Sequence, residues 1–311
     1  LTAWLIGLMP LLMGGGLPDR QMHWIMGTFW EIETPGVPAS DAMAAAFAEI
    51  HRLDGLLSHY QPDSAISRLN RTGCLQGQPE VASLLARSMA YSQESAGAFD
   101  VTVAPLVELW GFKHMQPHVP SPAELANARQ TVGWQRIHVQ GADIALDAGT
   151  RVELGAIGKG YALDRAIAIL TKHGIRRARI DAGGQQRLLG TWTIGILHPR
   201  KDGILGQVTV TDGSISTSGD TERFFIHRGK RYNHLIDPRT GYPTSEWPSV
   251  TVIAPDGETA DALSTVAAVL GPARGKPILA SHQASALWFG IDGRTTMTSG
   301  FRWIREAGTR P

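Results

Sequence analysis

Three titratable side chains, His234, Asp237 and Arg239, fall within YNHLIDPRTGYP at residues 232–243. Asp237-Pro238 and Thr240-Gly241 both favour turns, so a fixed loop following a short strand would present all three. An imidazole titrates near neutrality and suits proton transfer, which makes His234 a candidate base; an ordinary surface turn accounts for the same residues. Asp261 and Thr265 stand four residues apart in a helical stretch, which puts them on one face near the helix N-terminus. A carboxylate, a hydroxyl and a backbone carbonyl are hard oxygen donors, suited to magnesium and not to zinc. The same pair also reads as a capping aspartate and a surface threonine. Glu153 and Lys159 flank Gly155, Gly158 and Gly160 in VELGAIGKG, where the main chain can approach a ligand and a lysine can meet a phosphate. A tight strand-to-helix turn needs the same small residues. Asp181, before Gly183-Gly184, and Asp100, beside Phe99, occupy a strand end and a bend, positions that serve equally as ligand contacts and as turn caps.

The elements that must hold these groups read as an alternation of short strands and amphipathic helices. Residues 21–33 are predicted as a strand with Met26-Gly27-Thr28 at its start and Trp30 and Ile32 on one face. Helical spacing of Met43, Phe47, Ile50, Leu53 and Leu57 predicts a helix over 41–58, and residues 60–70 read as a polar loop. Further helices are predicted at 79–94, from a Ser121 cap towards 133, and at 161–173 and 261–270. Strands are predicted at 136–139, 143–146, 177–180 and 192–198, then a meander at 207–211, 214–217, 223–227 and 230–234. Another strand follows at 248–254, and the chain ends in a hairpin series at 286–291, 295–298 and 301–304, its first turn at Asp292-Gly293. One α+β unit with a mostly antiparallel sheet is the simplest architecture.

Composition narrows the function classes. With 43% hydrophobic residues, 18% charged residues and a net charge of +1, the chain is globular, and nothing electrostatic favours nucleic acid as a partner. The single cysteine, Cys74, excludes a disulfide framework and a thiolate metal cluster. No G-x-S-x-G, G-x-G-x-x-G or P-loop pattern occurs, which disfavours a serine hydrolase, a conventional dinucleotide domain and a P-loop ATPase. Residues 1–16 are uncharged and mostly apolar, like the hydrophobic region of a secretory signal. Residues 1–20 are therefore read as a signal-like or terminal apolar segment, 21–311 as one domain, and a periplasmic location is expected.

The ordered pieces MGT (26–28), the loop 60–70, GAFDVTVAPLVELWGF (97–112), ELGAIGKGYALD (153–164), DAGG (181–184), ISTSGD (215–220), YNHLIDPRTGYP (232–243) and TADALSTV (259–266) resemble the ApbE-like family of flavin transferases. The resemblance implies a T-fold-like α+β domain that binds FAD in an extended cleft and uses magnesium. It implies cleavage of the FAD pyrophosphate and transfer of FMN to a threonine hydroxyl of a target redox protein, with release of AMP and an association with the inner membrane through that partner or the N-terminal segment. Metal ligands implied are the Ala156 carbonyl and the side chains of Asp261 and Thr265. FAD contacts implied are Met26, Tyr60, the bend Ala98, Phe99 and Asp100, Glu153, Lys159, and His234 with Leu235; Asp181 is carried as a further FAD candidate and His234 and Asp261 as the catalytic pair. The alternative activity is magnesium-dependent hydrolysis of FAD to FMN and AMP, and a non-enzymatic alternative is flavin storage. Two departures stand out: Gln185-Gln186 follow DAGG where the family usually has asparagine or aspartate, and Thr221 replaces a common aromatic residue.

Overall fold

The computed structural model describes residues 19–112, 116–221 and 223–305. Of the segment 1–20 read as a leader, only Asp19 and Arg20 are described, and they belong to a strand. Residues 21–33 are not one strand but a hairpin of β1 (Asp19–Ile25) and β2 (Thr28–Thr34), turning at Met26-Gly27. Both turn residues have positive φ, 51° and 75°, the sense that matches the twist of a two-residue hairpin. Met-Gly lacks the asparagine or aspartate that normally announces such a turn, and methionine holds that conformation only against steric cost.

Helix α1 (Ser40–Leu57) buries the five apolar residues whose spacing predicts it. The polar loop expected at 60–70 instead contains the start of α2 (Ala65–Thr72), capped by Ser64, whose hydroxyl accepts the Ser67 N–H at 2.9 Å. Two turns are too short for periodicity to stand out among polar residues. There follow β3 (Cys74–Leu75), α3 (Pro79–Glu94), the unanticipated α4 (Ala104–Leu109), and α5 (Pro122–Arg129), whose Ser121–Glu124 capping box forms as the sequence predicts. Strands β4 (Ile137–Gln140) and β5 (Asp143–Leu146) pair into a small sheet with β3.

Helix α6 (Gly158–Lys172) begins three residues before the expected 161, inside the glycine-rich run. Beyond it lie β6 (Ala178–Ala182) and β7 (Gln186–Leu189), the latter missed because two glutamines precede its apolar pair. Strands β8 (Thr191–Leu197), β9 (Ile204–Thr211), β10 (Ser214–Gly219), β11 (Phe224–His227), β12 (Lys230–Asn233) and β13 (Ser249–Ala254) follow, but the expected meander does not form: β8 pairs with β9 in one sheet and β11 with β12 in another, while β10 and β13 pair within the large sheet. Helix α7 (Gly257–Ser281) is longer at both ends than 261–270, so Asp261 stands in its second turn and not at its N-terminus. The chain continues with β14 (Ser285–Phe289), β15 (Thr295–Met297) and β16 (Trp303–Arg305); β16 pairs with β9, so the terminal hairpin series stops after β15.

An eight-stranded antiparallel sheet, ordered β1-β2-β6-β7-β10-β13-β14-β15, separates two cores. Alternation along a strand feeds both: Ala286 and Trp288 of β14 point into the main core, Leu287 and Phe289 into the other. Helices α1, α6 and α7 cover the first face, and the small sheet β16-β9-β8 covers the second with Ile194, Val208 and Val210. Among the described residues no helix is long and apolar enough to cross a membrane.

The joint between α6 and α7 does most to position the candidate site. Asp164 on α6 accepts the Gly257 and Glu258 N–H groups at 2.7 and 2.9 Å, capping α7 from a neighbouring helix, while Asp256 accepts Thr259 N–H at 2.7 Å. Arg187 on β7 donates to Asp164 at 3.0 Å. Three otherwise orphan N–H groups are thereby satisfied, and the start of α7 is fixed against α6.

Candidate active site

Near that joint the Gly160 N–H donates to Asp261 Oδ2 at 2.9 Å. Gly160 is the third residue of α6, so its N–H is one of the donors that no carbonyl of the helix can satisfy. The aspartate satisfies that amide, and Ala156, which precedes the N-cap Ile157, lies just outside the helical ladder. Gln185, in the turn between β6 and β7, donates through Nε2 to Asp261 Oδ1 at 3.2 Å. Burial pushes the Asp261 carboxyl pKa up, opposed by the charge of Lys159 and by these two hydrogen bonds. No lysine or arginine forms a salt bridge with it among the described residues. Thr265, one turn further along α7, is half-buried. Among the described residues no three His, Cys, Asp or Glu side chains gather as a metal-binding group; Asp261 and Thr265 lie one turn apart on α7, and Asp261 bonds to Gly160, four residues after Ala156.

A second group lines a cleft of about 530 Å³ that includes His59, Tyr60, Arg71, Arg151 and Glu153. Tyr60 is 52% exposed, its ring 3.9 Å from that of His59, and its hydroxyl accepts from Arg223 at 3.3 Å. The carbonyl of Arg223 faces His234 Nδ1 at 3.3 Å. A carbonyl can only accept, so Nδ1 carries the proton and Nε2 is left with its lone pair. Burial first, then the charge of Arg223, lowers the His234 pKa to about 4. The charge of Lys159 also acts on both His234 and Asp261, lowering the pKa of each.

A histidine depressed this far is neutral in the folded chain while its unfolded counterpart still binds protons between about pH 4 and 6.5. Its contribution to stability is therefore full above pH 6.5 and lost as pH falls towards 4. Proton NMR of the His234 ring should show a midpoint near 4; a midpoint near 6.5 would remove the argument for a neutral imidazole.

The remaining sequence candidates divide. Glu153 lies in the cleft wall, and its N–H donates to Val101 O at 2.7 Å, which draws the Ala98–Asp100 bend alongside it. Ala98 and Phe99 are buried, and both Asp100 oxygens are engaged, Oδ1 by the Thr102 N–H and hydroxyl and Oδ2 by the Trp134 N–H. Asp100 thus holds the bend together. Leu235 is buried, its N–H donating to Asn233 Oδ1 at 2.8 Å. Asp237 and Arg239 of the same loop pair with each other, at 2.7 Å, and shape the turn. Asp181 accepts from Gly184 N–H and Gln186 Nε2 and is absent from the cleft lining. Met26 sits at the β1–β2 turn, where Thr28 packs directly against Gly183. Arg223 is a further residue of the site, joining Tyr60 to His234; Tyr60 is 163 residues away, so no local pattern announces the contact.

These positions can be set against known proteins. The ApbE family matches residues 26–288. The chain belongs to the ApbE family. An FAD:protein FMN transferase of Escherichia coli strain K12 is 33% identical over 276 residues, covering 82% of this chain and 79% of the relative. Another from Treponema pallidum is 30% identical over 279 residues, covering 79% and 77% respectively. Among solved structures, the ApbE protein of Thermotoga maritima superposes with a TM-score of 0.86 at 30% identity, covering 91% of this chain and 97% of its own. The apo flavinyl transferase ApbE of Pseudomonas stutzeri gives 0.82 at 28% identity, covering 93% and 97%. The single α+β architecture expected from the ApbE resemblance is the one observed, and homology makes this ApbE-family chain an enzyme of the transferase class.

Proposed function

We propose that the protein is an FAD:protein FMN transferase that links FMN to a threonine hydroxyl of a target redox protein and releases AMP. The observation that supports the reading is the Gly160–Asp261 hydrogen bond, which brings a buried carboxylate to the glycine-rich start of α6, where Ala156 lies four residues before Gly160. With the Thr265 hydroxyl these are hard oxygen donors, and a carboxylate that is buried with no salt-bridge partner fits a small divalent cation such as magnesium. When bound, the cation would neutralise diphosphate oxygens and polarise phosphorus. The chain's own groups do the rest. Lys159 brings positive charge to the site, and Tyr60 offers a ring face at the cleft. His234 Nε2 accepts the proton of the incoming threonine hydroxyl as its oxygen attacks the FMN-side phosphorus; the bond to the bridging oxygen breaks and AMP leaves with its electron pair.

The test is incubation with FAD, magnesium and a target fragment containing threonine. Mass spectrometry should find the fragment heavier by one FMN residue and AMP released in equal amount; free FMN with no adduct would replace transfer by hydrolysis, and FAD recovered intact would leave only binding. Tyr60→Ala is expected to weaken FAD binding on the order of tenfold, since stacking on an aromatic ring is worth about 1–3 kcal/mol per base. Titration of flavin fluorescence measures it, and an unchanged dissociation constant removes Tyr60 from the flavin site. We further propose a periplasmic location beside the inner membrane, supported by the apolar, uncharged character of residues 1–16.

A further inference from the structure

Gln185 stands where the sequence departs from its family, and its side chain is placed in an unusual way. Its Nε2 lies 3.2 Å from Asp261 Oδ1. A carboxylate oxygen next to an amide can only accept, so the orientation of the amide is fixed: nitrogen towards Asp261, oxygen away from it. That oxygen, Oε1, is buried and has no hydrogen-bond partner among the described residues. A buried carbonyl oxygen without a donor is costly and is rarely kept without a ligand to satisfy it. The main chain does not need this side chain, because the turn is closed by the Ala182 N–H donating to the Gln185 carbonyl at 2.8 Å.

Amide bond lengths put Oε1 about 2.2 Å from Nε2, hence within roughly 5.4 Å of Asp261 Oδ1. A magnesium ion holds its oxygen ligands at about 2.1 Å and keeps several waters, so a water on the ion lies within hydrogen-bonding reach of an acceptor at that range. We propose that Gln185 is a positioning residue of the cation site, orienting Asp261 through Nε2 and accepting through Oε1 a hydrogen bond from a water on the bound cation. The inference rests on the magnesium-dependent reading above. It gives the departure from the family a purpose: glutamine retains the donor and the acceptor of asparagine on a longer arm.

Partners of this kind behind a metal ligand change affinity by about 10–100-fold when removed. The test is calorimetric titration of magnesium into the full-length protein saturated with FAD, for the wild type, Gln185→Leu and Gln185→Asn, with thermal unfolding of each in metal-free buffer. Gln185→Leu should weaken magnesium by at least tenfold with the FAD dissociation constant and metal-free melting temperature nearly unchanged, and Gln185→Asn should recover part of the loss. Equal magnesium affinity in wild type and Gln185→Leu would overturn the inference while leaving the function intact. A lowered melting temperature with unchanged magnesium affinity would make the residue structural and overturn it as well. Failure of the wild type to bind magnesium with FAD present would instead sink the magnesium-dependent reading, and this inference with it.

Discussion

Asp261→Ala is expected to abolish flavin transfer, lowering turnover on the order of 10³-fold or more, because cation stabilisation of a phosphoryl transition state is worth several kcal/mol. The carboxylate disappears, and the Gly160 N–H that it held at 2.9 Å is released. FAD affinity should fall much less, since Tyr60 and Glu153 line a cleft that the substitution does not touch. Folding should also survive, because Asp261 is desolvated and its removal relieves a buried charge. Steady-state rates over a magnesium series check this, and turnover within a few-fold of wild type at limiting magnesium would rule the assignment out.

Gly160→Ala should be the most damaging of the substitutions for the fold itself. A Cβ at this position would lie 2.6 Å from the Gly257 carbonyl carbon and 2.7 Å from Asp261 Cβ. Neither neighbour is the end of a flexible side chain, so relief requires α6 and α7 to separate, against the Asp164 bonds that cap α7. Forcing extra volume into a packed joint costs typically about 1–3 kcal/mol, and this contact stands at or beyond the top of that range. Urea unfolding should show the loss, and magnesium binding should fail together with it. Gly55→Ala provides the contrast, since nothing lies within 4 Å of a Cβ there and the position is on the exposed side of α1. It should stabilise by about 0.5–1 kcal/mol, the ordinary gain of alanine over glycine in a helix. Equal stability of Gly160→Ala and wild type would mean that the two helices do not meet in this way.

The long amphipathic elements were legible because burial imposes a period on them: α1 and α3 lie within a residue of their expected bounds. What escaped was set by contacts that period does not encode. Helix α2 is two turns of mostly polar side chains held by one cap, and the Met26-Gly27 turn uses a residue that normally avoids positive φ. The extension of α7 back to Gly257 depends on Asp164, 93 residues earlier, accepting its first amide. In the same way the glycine-rich run announced a close approach at Gly160 but could not name Gly257 as the partner. Asp261, Thr265 and Ala156 were legible as donor types, yet the approach of Asp261 to the start of α6 depends on the helix joint. Asp237 and Arg239, which looked as chemically promising as His234, turned out to satisfy each other, because a short Pro-Arg step lets the guanidinium fold back onto the carboxylate.

Helix α7 is interrupted at Gly271, where φ is 66° and ψ 179°, immediately before Pro272. The missing helical bond there makes two rods of one: the first carries Asp261 and Thr265, and the second, reaching Ser281, carries neither. The second rod folds back on the first, since a Cβ at Gly275 would lie 3.6 Å from Ala267 Cα. A bulky side chain at Gly275 would therefore press on the stretch that carries the donors, and the small residue there lets the bend stay closed.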